Sequence, residues 1–179
     1  MKFFIATDIH GSAYWTQKVL QKFNQTRSDV LVLLGDLYNH GPRNPFPQDY
    51  SPLKVSEIFN SVSNKIIWIQ GNCDSEVDRM VSDFSQLGDQ LLPTPNRRFY
   101  FTHGHVYNKK VLPSGLIGGD VMFYGHFHVS EITDVNGVIC VNVGSAALPK
   151  DGINAYCIAD EKAVTLYDFD DNVISARNF

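Results

Sequence analysis

Two hydrophobic periodicities alternate along the first half of the chain, and this alternation constrains the fold more than any other feature. Short apolar runs at Phe3–Thr7, Val30–Leu34 and Lys65–Ile69 predict buried strands. Apolar residues at helical spacing follow Ser12, which is a suitable N-cap, and a second helix is expected from about Leu53 to Ser61. Strands that alternate with helices in this way form right-handed βαβ units. The sequence therefore predicts an α/β fold.

The second half of the chain has the pattern of short strands and hairpins. Strands are expected at Arg98–Thr102 and Val121–Tyr124, after a short helix over Ser75–Phe84. The dipeptide Asn136-Gly137 between alternating runs predicts a type I′ hairpin. We expect a mixed sheet, or two packed sheets, covered by helices. No repeat or linker divides the chain, so residues 1–179 are predicted to form a single domain.

Composition and charge argue against several classes of protein. Hydrophobic residues make up 44% of the 179 residues, and the net charge of −4 argues against stable binding to nucleic acid or an anionic membrane. The three cysteines, Cys73, Cys140 and Cys157, lack CxxC spacing and are too few for a disulfide framework. Asp8 interrupts the N-terminal apolar run too early for a secretory signal. We therefore expect a cytoplasmic protein with no membrane partner.

Polar side chains follow five of the expected strands, at the point where each strand ends. In open α/β sheets, active sites lie beyond the carboxyl ends of the strands. All six histidines of the chain lie in or near these turns, and glycines beside them allow the backbone to turn tightly. The seven candidate metal ligands are Asp8, His10, Asp36, Asn72, His103, His126 and His128.

Each of these residues has an ordinary structural explanation when it is considered alone. Asp36 could start a turn, and Asn72 could cap the following helix. Capping does not explain H-x-H pairs after two separate strands. Carboxylates mixed with imidazoles suit Mn²⁺, Fe²⁺ or Zn²⁺. Seven ligands are too many for one ion, so the sequence predicts two ions that share a bridging carboxylate.

Other catalytic chemistries find little support in the sequence. The chain lacks a G-x-S-x-G elbow, a G-x-x-x-x-G-K-[ST] loop and a G-x-G-x-x-G turn after the first strand. Cys73 and a histidine could form a nucleophilic pair, but Cys73 stands within a turn of the metal-binding type, which favours metal chemistry.

These residues resemble the motifs of the calcineurin-like metallophosphoesterases. The five motifs of that family read D-x-H, G-D, G-N-[HC]-[DE], a lone His and G-H-x-H. They stand here, in order, as Asp8-Ile9-His10, Gly35-Asp36, Gly71-Asn72-Cys73-Asp74, His103 and Gly125-His126-Phe127-His128. The segments at 39–44 and 71–78 further resemble the small bacterial phosphodiesterases of the YfcE type.

The resemblance implies a sandwich of two mixed β-sheets flanked by helices, and a hydrolase that cleaves phosphodiester bonds with a metal-bound hydroxide. It implies one ion held by Asp8, His10, Asp36 and His128, and a second held by Asp36, Asn72, His103 and His126, with Asp36 bridging. Members of the family often prefer Mn²⁺, and Fe²⁺, Zn²⁺, Ni²⁺ and Co²⁺ are alternatives. A small phosphodiester is the expected substrate, and relatives often self-associate.

Two departures from the family pattern bear on the substrate rather than on the metal. Cys73 replaces the histidine that assists the leaving group in many members. Asn39 replaces the second aspartate of the extended G-D-x-x-D motif. Neither change removes an expected metal ligand.

Three further polar residues are candidates for contact with the substrate or with the metal ligands. His40 and Arg43, on a proline-rich loop, could reach the phosphate or its substituent, or could simply belong to a solvated loop. His105 could orient a metal ligand or donate a proton, and we favour the orienting role. The candidate catalytic residues are Asp36, Asn72, Cys73 and His105.

Other functions stay open at the level of sequence. The retromer subunit with this fold resembles phosphoesterases but has altered metal-site residues and serves as an interaction scaffold. Every metal position in the present chain holds a competent ligand, which favours an enzyme. A phosphomonoesterase or a nuclease is an alternative within the same fold, and the acidic net charge counts against the nuclease.

Overall fold

Two mixed β-sheets face each other across a shared core in the computed structural model, which describes all 179 residues. The first sheet has seven strands, which are β1 (Phe3–Ala6), β2 (Val30–Leu33), β3 (Ile66–Ile69), β4 (Gln86–Leu87), β10 (Ala155–Ala159), β11 (Ala163–Asp168) and β12 (Val173–Asn178). Their order is β12-β11-β10-β1-β2-β3-β4. Strands β1 to β4 pair in parallel, whereas β10 to β12 add antiparallel.

The second sheet has five strands in the order β5-β6-β7-β9-β8. They are β5 (Gln90–Pro93), β6 (Arg98–Phe101), β7 (Val121–Tyr124), β8 (Ser130–Val135) and β9 (Val138–Val143). Strands β6, β7 and β9 run parallel, and β5 and β8 pair antiparallel with their neighbours. The predicted two-sheet sandwich with mixed sheets is therefore confirmed.

Strand β1 lies at the centre of the first sheet because side chains on both of its faces are apolar. Phe3 and Ile5 point into the core between the sheets, where Phe3 packs edge-on against Phe99 of β6 with ring centroids 5.7 Å apart. Phe4 and Ala6 point the other way, into the cluster under the helices. Alternation with a period of two delivers one side chain to each core in turn.

The helices cover the outer face of the first sheet only. They are α1 (Ala13–Thr26), α2 (Pro52–Asn60) and α3 (Glu76–Met80), with a short 3₁₀ turn at Ser63–Lys65. The outer face of the second sheet, which includes Met122 and Tyr124, is covered by Leu112 and Leu116 of the segment between β6 and β7. That segment contains no helix, so the predicted helices flank the sandwich on the side of the first sheet.

Local signals in the sequence explain several element boundaries. The Ser12 hydroxyl accepts a hydrogen bond from the Trp15 amide (3.2 Å), which confirms the N-cap of α1. The Asn136-Gly137 turn has positive φ at both residues (55° and 79°), which the type I′ hairpin requires. The helix predicted over Ser75–Phe84 is only five residues long, and strands β4 and β5 escaped prediction.

The carboxyl ends of β1, β2 and β3 in the first sheet and of β6 and β7 in the second open towards one another, and the turns at these ends form the site described next. No helix in the structure is long and apolar enough to cross a membrane.

Candidate metal centre

Turns that follow five strands deliver the seven candidate ligands to one region. Strand β1 is followed by Asp8 and His10, β2 by Asp36, β3 by Asn72, β6 by His103, and β7 by His126 and His128. Contacts join the two sheets here, because His128 Nε2 lies 3.2 Å from Asp8 Oδ1 and His103 Nε2 lies 3.5 Å from Asp36 Oδ2. The site is therefore built across the gap between the sheets.

The backbone of these turns adopts an unusual conformation. Nine residues other than glycine have positive φ, and five of them are candidate ligands: Asp8, His10, Asp36, His126 and His128. Left-handed backbone costs free energy for residues with a Cβ, although Asp, Asn and His tolerate it better than most. Such conformations concentrate at functional sites, where the surrounding structure maintains them.

Two glycines let the backbone approach the ligand carboxylates closely. A Cβ on Gly71 would lie 2.2 Å from Asp36 Oδ1, and a Cβ on Gly125 would lie 2.5 Å from Asp8 Oδ2. Neither glycine has positive φ, so each is required by space rather than by conformation. The backbone of the turns after β3 and β7 therefore packs directly against the carboxylates of Asp36 and Asp8.

The first group of ligand atoms surrounds Asp8. The carboxylate of Asp8 and the imidazoles of His10 and His128 place one ligand atom each within 4.8 Å of one another. Asp8 Oδ1 lies 3.2 Å from His128 Nε2 and 3.5 Å from His10 Nε2, and the two Nε2 atoms are 3.3 Å apart. All three side chains are buried.

The outer nitrogens of three histidines show which atoms face the centre of the site. The Nδ1 atoms of His10, His103 and His128 lie 2.7, 2.7 and 2.6 Å from the carbonyl oxygens of Asn39, Leu34 and Leu148. A carbonyl only accepts, so each Nδ1 donates a proton to it. When an imidazole is neutral, as a metal ligand must be, its Nε2 then presents a lone pair to the carboxylates.

This arrangement requires a cation. Asp8 Oδ1 is buried and has no hydrogen-bond partner, although two Nε2 atoms face it. Lone pairs that face one another in a buried site repel, and unpartnered buried carboxylate oxygens are costly. Main-chain carbonyls that fix the Nδ1 tautomer are also the usual outer partners of metal-ligating histidines. The residues therefore fit a divalent metal ion.

The second group of ligand atoms surrounds Asp36. Asp8, Asp36 and His103 form another set of ligand atoms within 4.8 Å of one another. Asp36 Oδ2 lies 3.5 Å from His103 Nε2 and 3.9 Å from His10 Nε2, so it stands between the two groups. Asn72 Oδ1 lies 3.0 Å from His103 Nε2, so the neutral oxygen of this candidate ligand adjoins the second group.

The carboxylates change the proton affinity of the buried histidines. Burial lowers the pKa of His103, but hydrogen bonding and charge from Asp36 and the charge of Asp8 outweigh it and raise this pKa to about 9. Burial raises the pKa of Asp8, but hydrogen bonds from His10 and His128, in the form in which their Nε2 atoms carry a proton, hold this pKa well below its usual range. A strongly negative centre of this kind attracts cations, either protons or metal ions.

His126 lies at the edge of this arrangement. Its ring centroid is 5.2 Å from that of His103, and its nitrogens belong to neither tight group of ligand atoms. Its backbone amide donates to Asp8 Oδ2 (2.9 Å). Burial and the neighbouring His103 lower the pKa of His126 to about 4, which leaves a neutral imidazole with a free lone pair.

Comparison with known proteins identifies the family. The sequence model of the family described as "Calcineurin-like phosphoesterase superfamily domain" matches residues 1–163. The chain belongs to the calcineurin-like phosphoesterase superfamily. It is 40% identical to phosphodiesterase YfcE of Escherichia coli K12, over 99% of this chain and 97% of that protein.

Further members of the superfamily extend this comparison. The solved structure of YfcE, a phosphoesterase from E. coli, superimposes with a TM-score of 0.95 at 38% identity, over 99% of this chain and 98% of that chain. A phosphodiesterase of Methanocaldococcus jannaschii is 24% identical over 89% of this chain and 93% of its own length. Vps29 of Entamoeba histolytica, solved in complex with Zn²⁺, shares the fold with a TM-score of 0.61 at 18% identity, over 100% of this chain and 98% of that chain.

Cys73, at the variable position of the third superfamily motif, lies beside Asp36 and His10. Its amide donates to Asp36 Oδ1 (2.8 Å), and its Sγ accepts from Asn72 Nδ2 (3.2 Å). Burial, followed by the charge of Asp36, raises the pKa of the thiol to about 12. A neutral thiol is a poor nucleophile, which counts against the Cys/His nucleophilic pair.

The other three candidate residues, Arg43, His40 and His105, have different surroundings in the structure. Arg43 lines the open cavity in front of the superfamily motifs, and its contact with a substrate stays a prediction. His40 does not line it, because its ring packs against Phe46 and Tyr50 at centroid distances of 4.4 and 5.4 Å. His105 is exposed and makes no side-chain hydrogen bond to a candidate ligand, so main-chain carbonyls orient the ligands instead.

Two contributors to the site were missed at the sequence level. The buried Asp74 carboxylate accepts hydrogen bonds from the amides of Asp36 (3.0 Å), Leu37 (2.9 Å) and Gly71 (2.7 Å), and from the Trp68 indole (3.2 Å). It therefore ties the turns after β2 and β3 together. Its place in the third superfamily motif was the available signal. Lys150 also lines the cavity and carries no motif signal.

Proposed function

We propose that this chain is a divalent-metal-dependent phosphodiesterase with a dinuclear centre. One ion is held by Asp8, His10, Asp36 and His128, and the other by Asp36, Asn72, His103 and His126, with Asp36 bridging. The single domain over residues 1–179 and the cytoplasmic location belong to the same proposal. Self-association, which the family resemblance implies, stays a prediction.

One observation carries this proposal. The buried Asp8 Oδ1 atom has no hydrogen-bond partner, and the Nε2 atoms of His10 and His128 face it. The second group, around Asp36 and His103, adds a carboxylate oxygen and an Nε2 atom that lie 3.5 Å apart. Together with Asn72 and His126, the two groups offer seven candidate ligand residues, which is more than one ion takes and supports two ions.

The residues of the chain have distinct tasks in the proposed hydrolysis. When bound, the divalent ions supply an activated water and a Lewis acid for the phosphoryl oxygens. Asp8 and Asp36 balance the positive charge, and main-chain carbonyls fix the orientation of the imidazoles. Arg43 lines the cavity in front of the centre and contacts the phosphate. Cys73, as a neutral thiol, gives the leaving group little assistance.

Mn²⁺ is the ion that we propose for this centre. Its ligands are carboxylates, imidazoles and one amide oxygen, a set that suits an intermediate or hard divalent ion better than a soft one. Fe²⁺, Zn²⁺, Ni²⁺ and Co²⁺ fit the same donor set and compete in the test.

A panel of phosphate esters measured with each metal tests the function. The reconstituted protein is given an aryl diester, the corresponding aryl monoester, a cyclic nucleotide and a single-stranded oligonucleotide. We expect the diester to be hydrolysed fastest, with Mn²⁺. Preference for the monoester or the oligonucleotide would favour a phosphomonoesterase or a nuclease, and no turnover with any metal would favour a scaffold.

A further inference from the structure

The cavity in front of the candidate metal centre is lined by two positively charged side chains that have no ion-pair partner. It has a volume of about 720 Å³ and is lined mainly by polar residues. Arg43 enters it from the loop after β2 in the first sheet, and Lys150 enters it from the segment after β9 in the second sheet. Neither side chain takes part in an ion pair or a hydrogen bond within the protein.

Lys150 is held in position by its backbone. The Lys150 amide donates to the carbonyl oxygen of His128 (2.8 Å), and His128 Nδ1 donates to the carbonyl oxygen of Leu148 (2.6 Å). These two hydrogen bonds wrap residues 148–150 around a candidate metal ligand. The Cα of Lys150 is therefore fixed relative to the centre, while its ammonium group is free to reach into the cavity.

The neighbouring acid does not neutralise Lys150. The carboxylate of Asp151 accepts hydrogen bonds from the backbone amides of Ser130 (2.7 Å) and Ile153 (3.1 Å). Its carboxylate oxygens thus face backbone amides at the start of β8 and in its own loop. The ammonium group of Lys150 remains available for an anion that enters the cavity.

The number of charges indicates what that anion is. A simple phosphodiester has one negative charge, which the metal centre and Arg43 meet. The cavity is also much larger than a phosphate group, so it accommodates a substituent beside the phosphate. On the basis of the proposed function, we infer that the substrate is a phosphodiester with a second anionic group on one substituent, and that Lys150 binds this group. Lys150 is then a specificity-determining residue.

A matched pair of substrates tests this inference. The probes are 4-nitrophenyl 4-carboxyphenyl phosphate and its uncharged isostere, 4-nitrophenyl 4-carbamoylphenyl phosphate, with 4-nitrophenolate release followed for both. We expect a higher kcat/KM for the carboxylate, chiefly through a lower KM. In Lys150→Gln this value should fall about three- to fivefold for the carboxylate and less than about twofold for the amide, as expected for one solvent-accessible ion pair.

Three controls make the result specific. Lys150→Arg should restore most of the preference for the carboxylate, and Lys162→Gln, which removes the same charge from an exposed position outside the cavity, should not change it. At about 1 M ionic strength, where the Debye length is about 3 Å, the wild-type preference should shrink towards that of Lys150→Gln. Calorimetric binding of the product 4-carboxyphenyl phosphate should weaken in Lys150→Gln, which provides a readout independent of turnover.

Two results would overturn the inference while leaving the proposed function intact. One is equal kcat/KM for the two diesters in the wild type. The other is an equal loss for both diesters in Lys150→Gln, which would assign Lys150 to the phosphate itself. If neither diester is hydrolysed with any metal, the proposed function fails, and the inference fails with it.

Discussion

At the scale of single residues, Asp36 connects the two halves of the site. Its Oδ2 lies 3.5 Å from His103 Nε2 and 3.9 Å from His10 Nε2, while its Oδ1 accepts a hydrogen bond from the Cys73 amide (2.8 Å). Asp36→Asn keeps the shape of the side chain but removes the charge that both ions would share. We expect turnover of an aryl diester to fall about 100-fold or more, the loss typical of one preorganised electrostatic group.

The control for this prediction is Asp83→Asn, because Asp83 is exposed and does not line the cavity. It should change turnover less than about twofold, as is usual for surface substitutions. If Asp36→Asn retained more than about a tenth of the wild-type turnover, Asp36 would not be the bridging ligand.

We expect Cys73 to determine how the rate of hydrolysis depends on the leaving group. A thiol is a weak hydrogen-bond donor and cannot carry the positive charge of an imidazolium, so poor leaving groups should receive little assistance. We expect log turnover to fall steeply with leaving-group pKa in the wild type and in Cys73→Ser. In Cys73→His the slope should be shallower, because alkyl diesters gain most.

Metal content serves as the control for both Cys73 variants and should equal that of the wild type. The prediction would be wrong if Cys73→Ser abolished the hydrolysis of aryl diesters while the metal content stayed unchanged. That result would assign the thiol a direct chemical role.

At the scale of secondary-structure elements, the turn after β3 packs against Asp36 through Gly71. A Cβ at Gly71 would lie 2.2 Å from Asp36 Oδ1 and 2.4 Å from the Asp36 amide nitrogen. Gly71→Ala must therefore displace the turn after β2, and overpacking of this kind costs about 1–3 kcal/mol. We expect a lower midpoint of urea unfolding and weaker metal binding, measured by titration of the metal-free protein.

Gly88→Ala is the matched control, because a Cβ at Gly88 has no atom within 4 Å and its φ is not positive. It should leave both stability and metal affinity close to those of the wild type. Equal behaviour of the two variants would show that the close approach at Gly71 has no role in holding Asp36.

The elements that the sequence predicted best are those whose local hydrophobic pattern agrees with their burial in the fold. Strands β1, β2 and β3 are buried on both faces, so each forms a continuous apolar run that ends at a polar turn. Strand β4 has only two residues, and the burial of Phe84 against Trp68 extended the apolar spacing beyond the true end of α3. Contacts distant in sequence decide these elements, and a local pattern does not contain them.

The site likewise contains residues that local motifs predict and residues whose roles depend on contacts distant in sequence. Motifs identified all seven candidate ligands, because each follows a strand directly. The role of Asp74 depends on amides of Asp36 and Leu37, more than thirty residues away (separations of 38 and 37). The position of Lys150 in the cavity depends on the wrapping of residues 148–150 around His128. Neither contact leaves a periodicity or spacing in the sequence.

At the scale of the whole molecule, the candidate centre joins the two sheets. Asp8, His10, Asp36 and Asn72 belong to turns of the first sheet, and His103, His126 and His128 belong to turns of the second. Ions bound between them would link the sheets and stabilise only the folded chain. A ligand at about 100 times its Kd adds about 2.7 kcal/mol of stability. For a chain of this size, that corresponds to an increase in Tm of about 5–10 °C.

Thermal unfolding of the metal-free protein with and without Mn²⁺ measures this effect. Asp36→Asn should lose most of the increase in Tm, and Asp83→Asn should retain it. An unchanged Tm in the wild type at saturating Mn²⁺ would contradict a metal centre that links the sheets.

The number of bound ions tests the central claim most directly. The protein is stripped with a strong chelator, reconstituted with Mn²⁺, freed of excess metal and measured by elemental analysis against protein concentration. The inward-facing nitrogens and the unpartnered Asp8 oxygen predict two ions per chain, and about one or fewer in Asp36→Asn. A wild-type stoichiometry near zero, or full diester turnover by the stripped protein, would contradict the account.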